Sequence, residues 1–168
     1  IIIPEGVRTL EPICMRGCSY LTSVQVPQTV TTIGYNCMAS CDKLESFTFP
    51  DNITGMGYGI FSKCHNLKEV SLPRNITTLP ESTFYWCYAL TDIEIPESVT
   101  KIGDSAFASA GLVSVTLPAG LKSIEDNAFD ICSDLCDIRY TDGTECSSQL
   151  ILKEGLESVG KNAFTRCR

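Results

Sequence analysis

A period of 23 residues constrains this chain more than any other feature. Leu recurs at positions 21, 44, 67, 90, 112 and 135, with one step of 22 residues and the rest of 23. Six of the eight prolines share a second column: Pro4, Pro27, Pro50, Pro73, Pro96 and Pro118. Aligned on these columns, the unit reads L-x-x-I/V/F-x-I/V/L/F-P-x-x-V/I/L-x-x-I/L-G-x-x-A-F-x-x-C, most cleanly from Leu90 to Phe107. Self-similarity at this period restricts the fold to a stacked-repeat architecture, because one unit cannot bury its apolar side alone whereas neighbours share a continuous core. About seven copies fill residues 1–168 as a single domain. The first starts inside the unit at Ile1. The last begins at Leu135–Tyr140 and resumes at Leu150–Leu156, which aligns with Val115–Leu121, so an insertion lies around 137–149 and includes the turn signal Thr141-Asp142-Gly143-Thr144.

Alternation in Val24-Gln25-Val26, Val70-Ser71-Leu72, Ile93-Glu94-Ile95 and Val115-Thr116-Leu117 predicts one short strand per repeat with one buried face. The Pro that follows has no N–H and cannot continue a ladder, so every strand ends at the same level. Gly34, Gly57, Gly103 and Gly160 predict a tight corner, and Asp104-Ser105-Ala106-Phe107 predicts about one helical or 3₁₀ turn. Strands roughly 4.8 Å apart would make seven coils on the order of 30 Å long.

The columns Leu90, Ile93, Ile95, Pro96, Val99, Ile102, Gly103, Ala106 and Phe107 resemble the BspA-like, or Treponema pallidum-type, leucine-rich repeat family. The resemblance implies a leucine-rich-repeat solenoid of the α/β class, right-handed, with short parallel strands on one face and turns with short 3₁₀ or helical segments on the other. It also implies a role in adhesion or host-protein binding on surface or secreted proteins. Three departures stand out: Cys14-Met15 and Cys37-Met38 replace Ala-Phe, Ala110 replaces the column Cys, and the last repeat is interrupted.

Charge and composition exclude several classes. The net charge is −7 and no run of four Lys/Arg occurs, so the expectation on counterion grounds is no nucleic-acid partner. No apolar run approaches the roughly 18 residues of a membrane span. The absence of an initiating Met or a signal-like segment suggests a processed product or part of a longer protein. A single His, at 65, leaves little room for metal or triad chemistry; it sits where other copies carry Ser19, Asp42, Tyr88 and Ser133, a solvated step. The expectation is a non-enzymatic module with no cofactor and no metal.

Residues flanking the inward strand positions should form two outward columns: Ser23, Ser46, Glu69, Asp92, Ser114, Asp137, and Ile2, Gln25, Thr48, Ser71, Glu94, Thr116, Arg139, Ile151. The candidate binding residues on this strand face are Gln25, Thr48, Glu69, Ser71, Asp92, Glu94, Thr116, Asp137 and Arg139. Acidic character at its centre favours a protein or glycan partner of basic character. Trp86, Tyr85 and Tyr88 surround Phe84 away from that face; they read as packing, the alternative being an aromatic patch on the opposite side.

Of the ten cysteines, Cys18, Cys41, Cys64, Cys87, Cys132 and Cys167 share one column and read as buried free thiols. Cys136 and Cys146 bracket the inserted turn and could form a disulfide. Cys14 and Cys37 are column neighbours that could also bridge, and with Cys18 and Cys41 they raise a Cys₄ zinc site, although the repeat already explains that spacing. Asn52-Ile53-Thr54 and Asn75-Ile76-Thr77 are sequons at one repeat position, marking Asn52 and Asn75 as possible glycosylation sites. An extracellular or cell-surface adhesion module is the expected function. The alternative is a structural repeat that self-associates through the solenoid ends into an extracellular array or filament, since neither Ile1–Ile3 nor Cys167-Arg168 reads as a polar cap.

Overall fold

A computed structural model describes residues 1–146 and 152–167, and the side chains of these except Glu145 and Cys146. It is a β-solenoid of about six turns built almost entirely of parallel strands. In chain order the strands are β1 (Thr9–Leu10), β2 (Thr32–Ile33), β3 (Ser46–Thr48), β4 (Gly55–Met56), β5 (Glu69–Ser71), β6 (Thr78–Leu79), β7 (Asp92–Glu94), β8 (Lys101–Ile102), β9 (Ser114–Leu117), β10 (Ser123–Ile124), β11 (Asp137–Tyr140), β12 (Glu145–Cys146) and β13 (Ser158–Val159).

Each coil therefore carries two strand positions rather than the single one the alternation predicts. The expected strand face holds β3, β5, β7, β9 and β11. A second ladder, β1-β2-β4 and β6-β8-β10-β13, runs through the I/L-G step of the unit. Its strands are two residues long, too short for a period of two to show. The insertion opens as a hairpin. β12 runs antiparallel to β11, with Ile138 opposite Cys146 and Arg139 opposite Glu145, and Gly143 takes a φ of 84° in the connecting turn. The resumption of the repeat at Leu150, and Ile151 of the outward column, lie outside the described residues.

The third side corrects the sequence reading: no helix or 3₁₀ segment occurs among the described residues, and turns replace them. The reason is a left-handed backbone at two positions four residues apart in every coil. Ile13, Asn36, Gly59, Ser82, Ser105, Asn127 and Asn162 form one positive-φ column, and Gly17, Ser40, Lys63, Trp86, Ser109, Ile131 and Arg166 the other. A left-handed residue breaks the right-handed run a helix needs. In exchange, N–H groups point along the solenoid axis. Ile13 donates to Tyr35 at 3.0 Å, Asn36 to Tyr58 at 2.8 Å, Gly59 to Glu81 at 2.8 Å, Ser82 to Asp104 at 2.9 Å, Ser105 to Asp126 at 2.9 Å and Asn127 to Lys161 at 2.8 Å. This turn face is thus hydrogen-bonded at six successive junctions.

The corner glycines serve close approach rather than an unusual φ. A Cβ on Gly57 would stand 2.2 Å from the backbone nitrogen of Tyr35, and one on Gly103 2.6 Å from that of Glu81. Gly111 has a related task where the repeat is one residue short. A Cβ there would fall 1.9 Å from the carbonyl oxygen of Tyr88, so only glycine lets the shortened coil close.

Side chains repeat with the backbone. Phe61, Phe84, Phe107, Phe129 and Phe164 stack face to face with centroid spacings of 5.7, 5.3, 5.1 and 5.1 Å and interplanar angles of 4° to 13°. Met15 and Met38 extend this buried column toward the first coil. The cysteine column lies beside it and is satisfied in a repeating way. The Sγ of Cys41, Cys64, Cys87, Cys132 and Cys167 donates to the carbonyl of Met15, Met38, Phe61, Phe107 and Phe129 in the preceding coil, at 3.1 to 3.2 Å. All five are free thiols. Cys18, at the start of the column, is exposed.

Candidate interaction surface

Strand register brings the outward residues together. Ser46 lies beside Glu69 and Thr48 beside Ser71; Asp92, Ser114 and Asp137 form one line, and Glu94, Thr116 and Arg139 the next. Gln25 pairs with Ile2 across an isolated bridge. Gln25, Thr48, Glu69, Ser71, Asp92, Glu94 and Arg139 are exposed, and Thr116 and Asp137 partly so. The intervening Phe47, Ile93, Val115 and Ile138 are buried, which is the period-two consequence of one covered face.

The strand face is interrupted in a way the sequence does not reveal. No backbone hydrogen bond joins β5 to β7, nor the segment around Gln25 to β3. At the junction that follows β7, Val113 and Ser114 donate to the carbonyl of Thr91; the equivalent donors one coil earlier, Thr91 and Asp92, make no such bond to Lys68. A cleft of about 740 Å³ opens there, lined by Glu69, Val70, Ser71, Asp92, Ile93 and Glu94 among others. A second cavity of about 530 Å³ shares Val70, Ser71 and Glu94 and continues past Leu72, Arg74 and Glu97. Val70 and Leu72 are half-buried, whereas their counterparts Ile93, Ile95, Val115 and Leu117 are buried. A smaller cleft of about 320 Å³ lies at the other interruption, between Ser23–Val26 and Ser46–Phe49.

The larger groove carries four carboxylates, Glu69, Asp92, Glu94 and Glu97, against Lys68 and Arg74. Lys68 is bound at 3.0 Å by Glu45, so its charge is largely met. Ser114 donates its hydroxyl to Asp92 and fixes that carboxylate, while Arg139 pairs with Asp137 beyond the groove. Like charges on one concave strip raise a local negative potential. The sequence identifies the acidic residues; it does not identify Val70, Leu72, Arg74 or Glu97, because nothing in a uniform repeat marks which junction will open.

Other candidates resolve differently. His65 Nδ1 lies 2.9 Å from Asp42 Oδ1, and its ring stacks on Tyr88 at 5.2 Å; the neighbouring Cys64 is buried with its Sγ on Met38. Tyr85, Trp86 and Tyr88 stack in series on the turn face, with Lys63 Nζ 5.1 Å from the Trp86 ring centroid. Asn52 and Asn75 are exposed, and their Nδ2 atoms donate to Gln28 and Asp51 in the preceding coil, both at 3.1 Å, so each ties neighbouring coils together. Cys136 is an exposed free thiol; the side chain of Cys146, its suggested partner, lies outside the described residues, and register sets Cys146 opposite Ile138. Among the described residues no three His, Cys, Asp or Glu groups converge as for a metal ion, and no helix is long and apolar enough to cross a membrane.

Comparisons with known proteins place this geometry. The family model for the BspA-type leucine-rich repeat region matches six copies within residues 1–109. The crystal structure of a T. pallidum leucine-rich repeat protein is 31% identical, with a TM-score of 0.78, over 83% of this chain and 68% of that one. A leucine-rich repeat protein from Eubacterium ventriosum gives a TM-score of 0.80 at 24% identity, and this chain spans 42% of its length. A leucine-rich cell-surface protein from Faecalibacterium prausnitzii gives 0.54 at 22% identity, over 83% of this chain and 59% of that one. Those last two likenesses concern the fold alone. Comparison with curated protein sequences finds no significant match. With the family model covering well over half its residues, the chain belongs to the BspA-type leucine-rich repeat family.

Proposed function

We propose that the chain is a non-enzymatic interaction module of a secreted or cell-surface protein, and that it binds a basic protein segment through its strand face. One observation carries this reading: the groove between β5 and β7, where open strand edges and half-buried Val70 and Leu72 meet the carboxylates Glu69, Asp92, Glu94 and Glu97. An extended basic segment can lie along this groove, its apolar atoms against Val70 and Leu72 while its cationic side chains engage the acids. The cell-surface description of the F. prausnitzii neighbour supports the location.

The test uses a fluorescein-labelled peptide of alternating Lys and Thr, with its Glu–Thr counterpart as the control. Binding by anisotropy is expected for the basic peptide only. It should weaken roughly tenfold or more, with a flatter salt dependence, in the triple variant Glu69→Lys, Asp92→Lys, Glu94→Lys. An equal charge change at the scattered exposed residues Glu5, Asp51 and Asp134 should have little effect. Equal loss in both variants would reduce the interaction to net charge and overturn the reading.

A further inference from the structure

We propose that Cys14 and Cys37 are an oxidisable pair that forms a disulfide between the first two coils. Their Sγ atoms lie 3.3 Å apart. The backbone is held at stacking distance on either side: Ile13 donates to Tyr35 at 3.0 Å and Met15 to Cys37 at 2.9 Å. Coils roughly 4.8 Å apart fall inside the Cα separation a disulfide accepts. The neighbouring column behaves otherwise, for Cys41 directs its Sγ to the carbonyl of Met15 at 3.2 Å, whereas the sulfurs of Cys14 and Cys37 face one another. The sequence agrees independently. At this repeat position the later coils carry Ile60, Thr83, Ala106, Ala128 and Ala163, so cysteine stands there only in two adjacent coils.

Access is asymmetric, with Cys14 exposed and Cys37 buried. This suits a low-molecular-weight disulfide as oxidant. The Cys14 thiolate attacks one sulfur of oxidised glutathione, forming a mixed disulfide and releasing one glutathione, which takes up a proton. Cys37 then loses its proton to solvent and attacks Cys14 Sγ, so the protein disulfide forms as the second glutathione leaves. Two protein sulfurs are oxidised and two glutathione sulfurs reduced. Burial, with Cys14 beside it, pushes the Cys37 thiol up, so this second step should quicken as pH rises.

Fully reduced chain is incubated with oxidised glutathione at mildly alkaline pH, acid-quenched, digested with trypsin and sequenced by mass spectrometry. The expected product joins residues 9–16 to residues 17–43 through Cys14 and Cys37. It should raise the thermal midpoint by roughly 5–10 °C, reversibly with dithiothreitol. Cys14→Ser, with an unchanged circular dichroism spectrum, should lose both the linkage and the shift. A glutathione adduct that persists on Cys14, or a bridge from Cys14 to Cys18 in place of Cys37, would overturn the assignment.

Discussion

Phe107→Ala is expected to lower the unfolding free energy by about 3–5 kcal/mol. Phe107 is fully buried in the middle of the aromatic column, 5.3 Å from Phe84 and 5.1 Å from Phe129 by ring centroid. Truncation removes the apolar burial of one ring and opens a void between two others. The neighbouring coils cannot collapse into it, because backbone hydrogen bonds from Phe84 to Ala106 at 2.7 Å and from Phe107 to Ala128 at 2.8 Å fix the coil spacing. Phe164→Ala, near the end of the column with one stacked neighbour, should cost less. Urea unfolding of the two variants checks the order, and equal losses would mean that the stack does not act as a continuous column.

Alkali should strip the protein of stability steeply between about pH 9 and 11. The buried Cys64 and Cys132 thiols are pushed up to about 12, and Cys41 to about 11, in each case chiefly because burial strips solvent from the thiolate; Cys87 moves in the same direction for the same reason. A folded-state value above the unfolded one stabilises fully below the unfolded value of 9.0, and that stabilisation is lost as pH climbs toward the folded value. Between about pH 9 and 11 each such thiol should remove about 1.4 kcal/mol per pH unit, and several together approach the whole stability of a domain. The double variant Cys64→Ala, Cys132→Ala should start less stable and decline more gently by about 3 kcal/mol per pH unit. Parallel decline in the two proteins, by urea titration at stepped pH, would show that these thiols do not govern alkaline unfolding.

Much of this fold is legible because the repeat averages over local ambiguity. Leu90, Ile93 and Phe107 each sit in columns populated by similar residues, so the buried side follows without knowledge of any one coil. The turn face is not legible in the same way. Asp104-Ser105-Ala106-Phe107 looks like a helix start, yet Ser105 and Ser109 adopt positive φ, because N–H bonds to the next coil outweigh the local preference. Ile13 and Ile131, β-branched residues in that conformation, show how strongly stacking overrides propensity. The acidic strip was readable, since outward positions follow from alternation alone. Its groove was not: Val70 and Leu72 occupy core columns, and only the lost ladder between β5 and β7 uncovers them.

The most direct test is hydrogen–deuterium exchange of the chain with and without the alternating Lys–Thr peptide. Binding at the strand face should slow exchange only in residues 68–74 and 91–98, the two walls of the groove, and leave residues 81–88 unchanged. Protection centred on the aromatic turn Tyr85–Tyr88, or spread evenly over the acidic surface, would contradict it.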